Sequence, residues 1–154
     1  MKSFLILLTV AIVAVLIAFS IMGMLSKSGI APGLVNGKLS PCPGSPNCVC
    51  SEYPNDTSHF INPIAYTPSN PDIPLAEAKA AILAMGGEIL PSTEKPDYLA
   101  ATFSSSVFGF VDDLEVRLES DNNLLHIRSA SRVGHSDLGV NGKRVEALRQ
   151  HLHN

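Results

Sequence analysis

The groups in this 154-residue chain best suited to chemistry lie between Asp112 and Arg144. Asp112 and Asp113 are adjacent carboxylates with Glu115 two residues on, and Arg128, Arg132 and Arg144 supply guanidiniums. Ser131, His135 and Asp137 fall among them, and His59 adds an imidazole from farther up the chain. Carboxylates and imidazoles are the groups that general acid–base catalysis employs. Clustered guanidiniums instead suit an anionic ligand, which they hold through charge-assisted hydrogen bonds. No nucleophile elbow, phosphate-cradling glycine loop or metal-ligand spacing accompanies these residues, so no metal and no cofactor is expected. Three function classes follow: a membrane-tethered binding or accessory module for an anionic ligand or a partner protein, a hydrolase-type enzyme, and a small subunit of a larger membrane complex. The first is favoured, because the polar residues gather without a recognisable catalytic arrangement. The ligand set it proposes is Asp112, Asp113, Glu115, Arg128, Ser131, Arg132, His135, Asp137 and Arg144.

These residues are positioned by a β-hairpin running from Phe110 to Arg132. From Val111 to Glu119, Leu114, Val116 and Leu118 alternate with Asp113, Glu115, Arg117 and Glu119, the period of a strand. Ser120–Asn123 has turn composition, and Leu124–Ser131 reads as the return strand. Pairing Glu119 with Leu124 sets Leu118 opposite Leu125 and Val116 opposite Ile127; a one-residue slip would put these apolar residues on opposite faces. The same register sets Glu115 opposite Arg128 and Arg117 opposite His126 on a polar face. It leaves Asp112 and Ser131 on the apolar face at the open end of the hairpin. A carboxylate there needs a partner, since a buried unpaired charge is costly. Bonds from Ser131, loop amides or Arg132 provide a plain structural use for it.

The rest of the domain reads as α+β: a mostly antiparallel sheet of four or five strands with two helices on one face. Pro74–Met85 has Leu75, Ala78, Ile82 and Met85 along one side and ends at Gly86-Gly87. Short strands are expected within Ile61–Thr67 and Glu88–Pro91, a turn over Ser92–Asp97, and a longer strand over Tyr98–Ser104. The loop Val133–Val140 leads to a last helix, Asn141–Leu152, with Asn141 as its N-cap. Lys143 and Arg144 lie in that helix's first turn, where its dipole disfavours cations, so Asp137, Asp112, Glu146 or a bound anion must compensate.

Phe4–Leu25 is apolar and carries no formal charge. At about 1.5 Å per residue it is long enough to cross a hydrocarbon core of about 30 Å. The favoured reading is an uncleaved single-pass anchor over residues 1–25; the rival is a signal peptide cut near Ala18-Phe19-Ser20. Residues 26–38 read as a juxtamembrane linker and 39–154 as a globular domain. Lysines flank the span on both sides, so charge does not orient it. Cys42 and Cys48 sit in a proline-rich loop where a disulfide would limit the freedom of the unfolded chain, and disulfides persist outside the cytosol. That pairing places the domain on the periplasmic or another extracytoplasmic side; the alternative is three unpaired thiols, Cys50 included. A net charge of −3 and the absence of tryptophan argue against nucleic-acid binding.

Three ordered motifs, Leu39–Cys48 (LSPCPGSPNC), Phe110–Glu115 (FVDDLE) and Arg128–Glu146 (RSASRVGHSDLGVNGKRVE), resemble the domain of unknown function 1499 family. The resemblance covers Leu39 to Leu152. It implies a bacterial or plastid domain behind an N-terminal signal or anchor, and no particular activity. Cys50 stands where the family pattern has a serine-like position, which makes it a rival partner for Cys42 or Cys48, or a link to another chain.

Overall fold

The computed structural model describes residues 1–67, 73–93 and 95–153. Its first element, α1 (Lys2–Lys27), is a single uninterrupted helix with a mean hydropathy of 3.1 over its most apolar 18-residue window. It is long and apolar enough to cross a membrane, a property a signal sequence would share.

The domain is α+β. Strands β3 (Cys48–Cys50), β8 (Leu124–Ser131), β7 (Val111–Glu119), β6 (Tyr98–Ser104) and β5 (Glu88–Ile89) lie side by side in that order, and β4 (Ile64–Ala65) pairs with the other end of β8. Every pairing between these named strands is antiparallel. The hairpin has the expected register, with Glu119 opposite Leu124, Val116 opposite Ile127 and Asp112 opposite Ser131. Its turn is a single 3₁₀ turn over Ser120–Asn122, closed by Asn123 in the left-handed region (φ 54°). The turn expected over Ser92–Asp97 begins as another, Pro91–Thr93; Glu94 within it lies outside the described residues.

Helices α2 (Ile73–Ala84) and α3 (Val140–His153) cover one face of the sheet. Ala78, Ile82, Val145 and Leu148 meet Leu99, Leu114, Val116, Leu125 and Ile127 there in one core. At 20–33 cal/mol per Å² of apolar surface removed from water, this face supplies the main driving force for folding.

The opposite face is where expectation and structure part. Asp113, Glu115, Arg117, His126 and Arg128 alternate as a solvated strand face would, yet all five are buried. The segment from Gly29 to Ser40, with Glu52 and Tyr53 just past edge strand β3, lies across them as a second layer. It contains the hairpin β1 (Leu34–Val35)–β2 (Lys38–Leu39), whose two-residue loop Asn36-Gly37 has both residues at positive φ (52° and 78°). Leu39 from this layer and Cys50, Tyr98 and Ala100 from the sheet form a second apolar cluster between the two. The stretch read as a linker is therefore held down: Gly33 N–H donates to Glu115 and the Tyr53 hydroxyl to the Leu39 carbonyl.

Cys42 and Cys48 form the disulfide, and Cys50 is a buried free thiol, only 2 % exposed. Burial pushes that thiol's pKa up, so it is neither a rival partner nor a reactive link to another chain. Replacing Cys42 and Cys48 by serine releases a short closed loop with a sequence separation of 6. The expected cost is about 2 kcal/mol on a chain-entropy estimate, read as a lower denaturation midpoint. Thiol titration of the native wild type should find no rapidly reacting group, and one after unfolding.

Candidate functional site

The open end of the hairpin brings together the start of β7, the end of β8, the loop after β8 and the last turns of α1. Gly23 of α1 presses on the Phe108 carbonyl so closely that a Cβ there would sit 1.9 Å from its oxygen. Ser26, fully buried, donates its hydroxyl to the Gly23 carbonyl (2.6 Å) and accepts the Val111 N–H (3.0 Å). Phe19 stacks on Phe108 at 5.3 Å and meets the edge of Phe110 at 6.3 Å. The apolar helix is thus part of the domain's packing at its final two turns.

Period-2 alternation sends Asp112 and Asp113 to opposite faces, and each finds its own arginine. Asp112 accepts from Arg144 Nη2 at 2.7 Å on the helix-covered face. Asp113 accepts from Arg132 through Nε (2.9 Å) and Nη2 (2.7 Å) on the other, and Arg132 Nη1 reaches the Ser26 carbonyl (3.4 Å). The partner of Asp112 is therefore Arg144, where Ser131, loop amides or Arg132 were expected. Arg128 pairs with Glu115 at 2.9 Å. Glu115, fully buried, also accepts from the Tyr98 hydroxyl (2.8 Å) and Gly33 N–H (2.9 Å). Burial pushes the Glu115 carboxyl above its usual range, while Arg128 and these two donors pull it back. The three arginines expected to gather round an anion are spread over both faces, each on an internal carboxylate.

Asn141 is not the N-cap. The cap is Asp137, which accepts N–H groups from Gly139 (3.0 Å) and Asn141 (2.7 Å). Burial raises the Asp137 carboxyl, but these N–H bonds outweigh that and hold it below its usual range. Asn141 lies within α3 and is 1 % exposed. Its Oδ1 accepts from Ser129 (2.6 Å) and Arg144 (2.6 Å), and its Nδ2 donates to the Asn47 carbonyl (3.0 Å) and Ser131 (3.1 Å). Arg144 also lies over the Phe103 ring at 4.7 Å. The cations at the start of α3 are compensated from within, by Asp112 for Arg144 and by Asp137 at the helix end.

The acid–base candidates do not converge. His59 bonds Asp56 (2.8 Å) and the Ser45 carbonyl (3.1 Å), whereas His135 lies exposed in the loop before α3. A different trio has the types of a nucleophile, base and orienter: Ser51 Oγ is 3.1 Å from His126 Nδ1, and His126 Nε2 is 3.1 Å from Glu119. Ser51 is 3 % exposed and its oxygen already accepts the Ile127 N–H (2.8 Å), so no substrate reaches it. Its neighbour Glu52 takes Arg117 at 2.6 Å, which completes a buried polar layer. The long sequence separations gave no signal for that trio. The β1–β2 hairpin did have one, its Asn-Gly pair.

Two clefts flank α1 where it meets the domain. One, of about 540 Å³, lies beneath the segment after α1 and is lined by Lys27, Gly29, Ile30, Ala31, Glu88, Leu90, Thr93, Thr102, Ser104, Val111 and Arg132. The other, of about 240 Å³, is bounded by Phe19, Met22 and Phe110 on the apolar side and by Asp112, Ser131, Ser136 and Asp137 on the polar side. Among the described residues no group of His, Cys, Asp and Glu is placed to hold a metal ion.

These features define a class: a small disulfide-bonded α+β domain packed against the end of an apolar N-terminal helix. Residues 38–152 match the family model described as protein of unknown function (DUF1499), and the chain belongs to that family. No curated protein matches it.

Proposed function

We propose that the protein is a single-pass membrane-anchored binding module, its domain on the extracytoplasmic side, which holds a small anionic ligand or the anionic headgroup of a lipid. The observation that carries this reading is the larger cleft, of about 540 Å³. It is within the size range of small-molecule sites and combines apolar walls with a few converging polar groups. Lys27 has no carboxylate partner among the described residues, and Thr102 and Ser104 line the same space, whereas the Thr93 hydroxyl is taken by the Leu90 carbonyl and the Ala100 N–H. Arg132 borders it too, already neutralised by Asp113. The Cys42–Cys48 disulfide is compatible with an oxidising compartment. A cut after Ser20 would keep Gly23 and Ser26 but strip Phe19 from Phe108 and Phe110, which favours an uncleaved helix.

Native mass spectrometry of the full chain in a neutral detergent, against inorganic phosphate, glycerol phosphate and a short-chain phosphatidylglycerol, tests the reading. Binding is expected, weakened about tenfold by Lys27→Ala, which corresponds to about 1.4 kcal/mol. Binding of phosphatidylglycerol alone identifies a lipid headgroup, and binding of all three identifies the free anion. No binding of any probe, or binding indifferent to Lys27→Ala, overturns it.

A further inference from the structure

We infer that the β6–β7 loop, Ser105–Phe110, is a second membrane contact that enters the same leaflet as the end of α1. This rests on α1 being an uncleaved span, as proposed above. Phe108 stacks on Phe19, and Phe19 precedes Leu25, the last apolar residue of the span, by six positions. At 1.5 Å per residue that sets the Phe108 ring about 9 Å below the end of the apolar stretch. Interfacial elements bury their apolar faces to about this depth, roughly 5–10 Å.

The loop's composition suits that position, and its bonding limits how deep it goes. Ser104–Val111 (SSSVFGFV) has no charged residue, and Val107 at its tip is 79 % exposed. Backbone groups entering hydrocarbon must be satisfied internally. Ser105 N–H donates to the Phe110 carbonyl (2.8 Å), Gly109 N–H to the Ser105 carbonyl (3.1 Å) and Phe110 N–H to the Ser105 hydroxyl (2.9 Å). The N–H groups of Ser106, Val107 and Phe108 have no partner within the loop, which sets its tip at the hydrated headgroup boundary and not in the hydrocarbon. The loop before α3 borders the same space beside Phe19 and Met22, and its Leu138 is 87 % exposed at a φ of 55°. A leucine held in the left-handed region and left bare is doubly unfavourable in water. Contact with acyl chains removes the second of these costs.

Depth-dependent fluorescence quenching on the full chain in phosphatidylcholine vesicles tests the inference. Val107→Cys, Leu138→Cys, Ile12→Cys and Asp121→Cys are each labelled with an environment-sensitive dye; the buried native thiol and the disulfide leave the new cysteine as the reactive one. Val107 and Leu138 are exposed, so labelling them leaves the packing intact. Quenchers high on the acyl chains are expected to act on labels at 107 and 138, quenchers near the bilayer centre on the label at 12, and neither on the label at 121. A deeply quenched label at 12 with unquenched labels at 107 and 138 overturns the second contact and leaves the anchor standing. An unquenched label at 12 overturns the anchor and the inference with it.

Discussion

Arg128→Met destabilises the domain by about 3–5 kcal/mol, the usual cost of removing one member of a buried ion pair. The Glu115 carboxylate it abandons is fully buried, and the remaining donors, the Tyr98 hydroxyl and Gly33 N–H, do not neutralise its charge. The deficit should also depend on pH with a definite sign. Burial raises the Glu115 pKa, so the folded state holds this proton more tightly than the unfolded chain does. Stability from this group is therefore greatest at low pH and falls as pH rises through the unfolded and then the folded value. Removing Arg128 raises the folded value further, so the deficit relative to wild type shrinks on going from about pH 8 to about pH 5. Asp56, Glu119 and Asp137 are held low and act in the opposite sense, but both proteins share them and they cancel in the difference. Chemical denaturation followed by circular dichroism at several pH values measures this. A deficit that does not change with pH would mean that lost packing, not stranded charge, dominates.

Asn141→Leu is the second large effect, about 2–4 kcal/mol. Leucine has asparagine's branching but bulkier methyl groups, so lost hydrogen bonds and some overpacking at this buried position act together. Arg144 keeps Asp112 and the Asn47 carbonyl keeps the Ser131 N–H, but the Ser129 and Ser131 hydroxyls lose a partner within the core. Each buried group left short of a partner costs about 1–3 kcal/mol. Asn141→Asp keeps the acceptor for Arg144 and Ser129 but sets an oxygen against the Asn47 carbonyl, so it should recover only part of the loss. Denaturation midpoints of the two variants compare directly. A leucine variant as stable as wild type would show that the four bonds add nothing net.

Much of the domain was legible in the sequence because one face of the sheet is a conventional core. Leu114, Val116 and Leu118 can face Leu125 and Ile127 in only one register, so the hairpin and the two helices followed from periodicity. The other face misled for a physical reason. Glu115, Arg117 and Arg128 alternate as solvated residues do, and nothing local distinguishes a charge that meets water from one that meets an opposite charge under a covering layer. That layer, chiefly residues 29–40 with Glu52 and Tyr53, is mostly irregular and so lacks a period to read. Asn141 misled because asparagine before a helical stripe usually caps it; here Asp137 reaches forward to do so and frees Asn141 to point inward. Asp112, Asp113, Ser131 and Arg132 do gather at the open end of the hairpin, as its register requires, but their pairings depend on α3 and α1 arriving from far along the chain.

The buried Ser26 hydroxyl, with Gly23 against Phe108 and Arg132 on the Ser26 carbonyl, has a consequence for how the domain would meet other molecules. A domain on a loose tether sweeps a hemisphere, and its partners feel an effective concentration set by tether length. Here the last turn of the helix is fastened to β7, so with α1 as the proposed span the domain would be mounted like a bracket, at one height and one tilt above the bilayer. It would engage whatever lies at that height in the membrane plane, and a change in helix tilt would be transmitted to the sheet as a rotation of the whole domain.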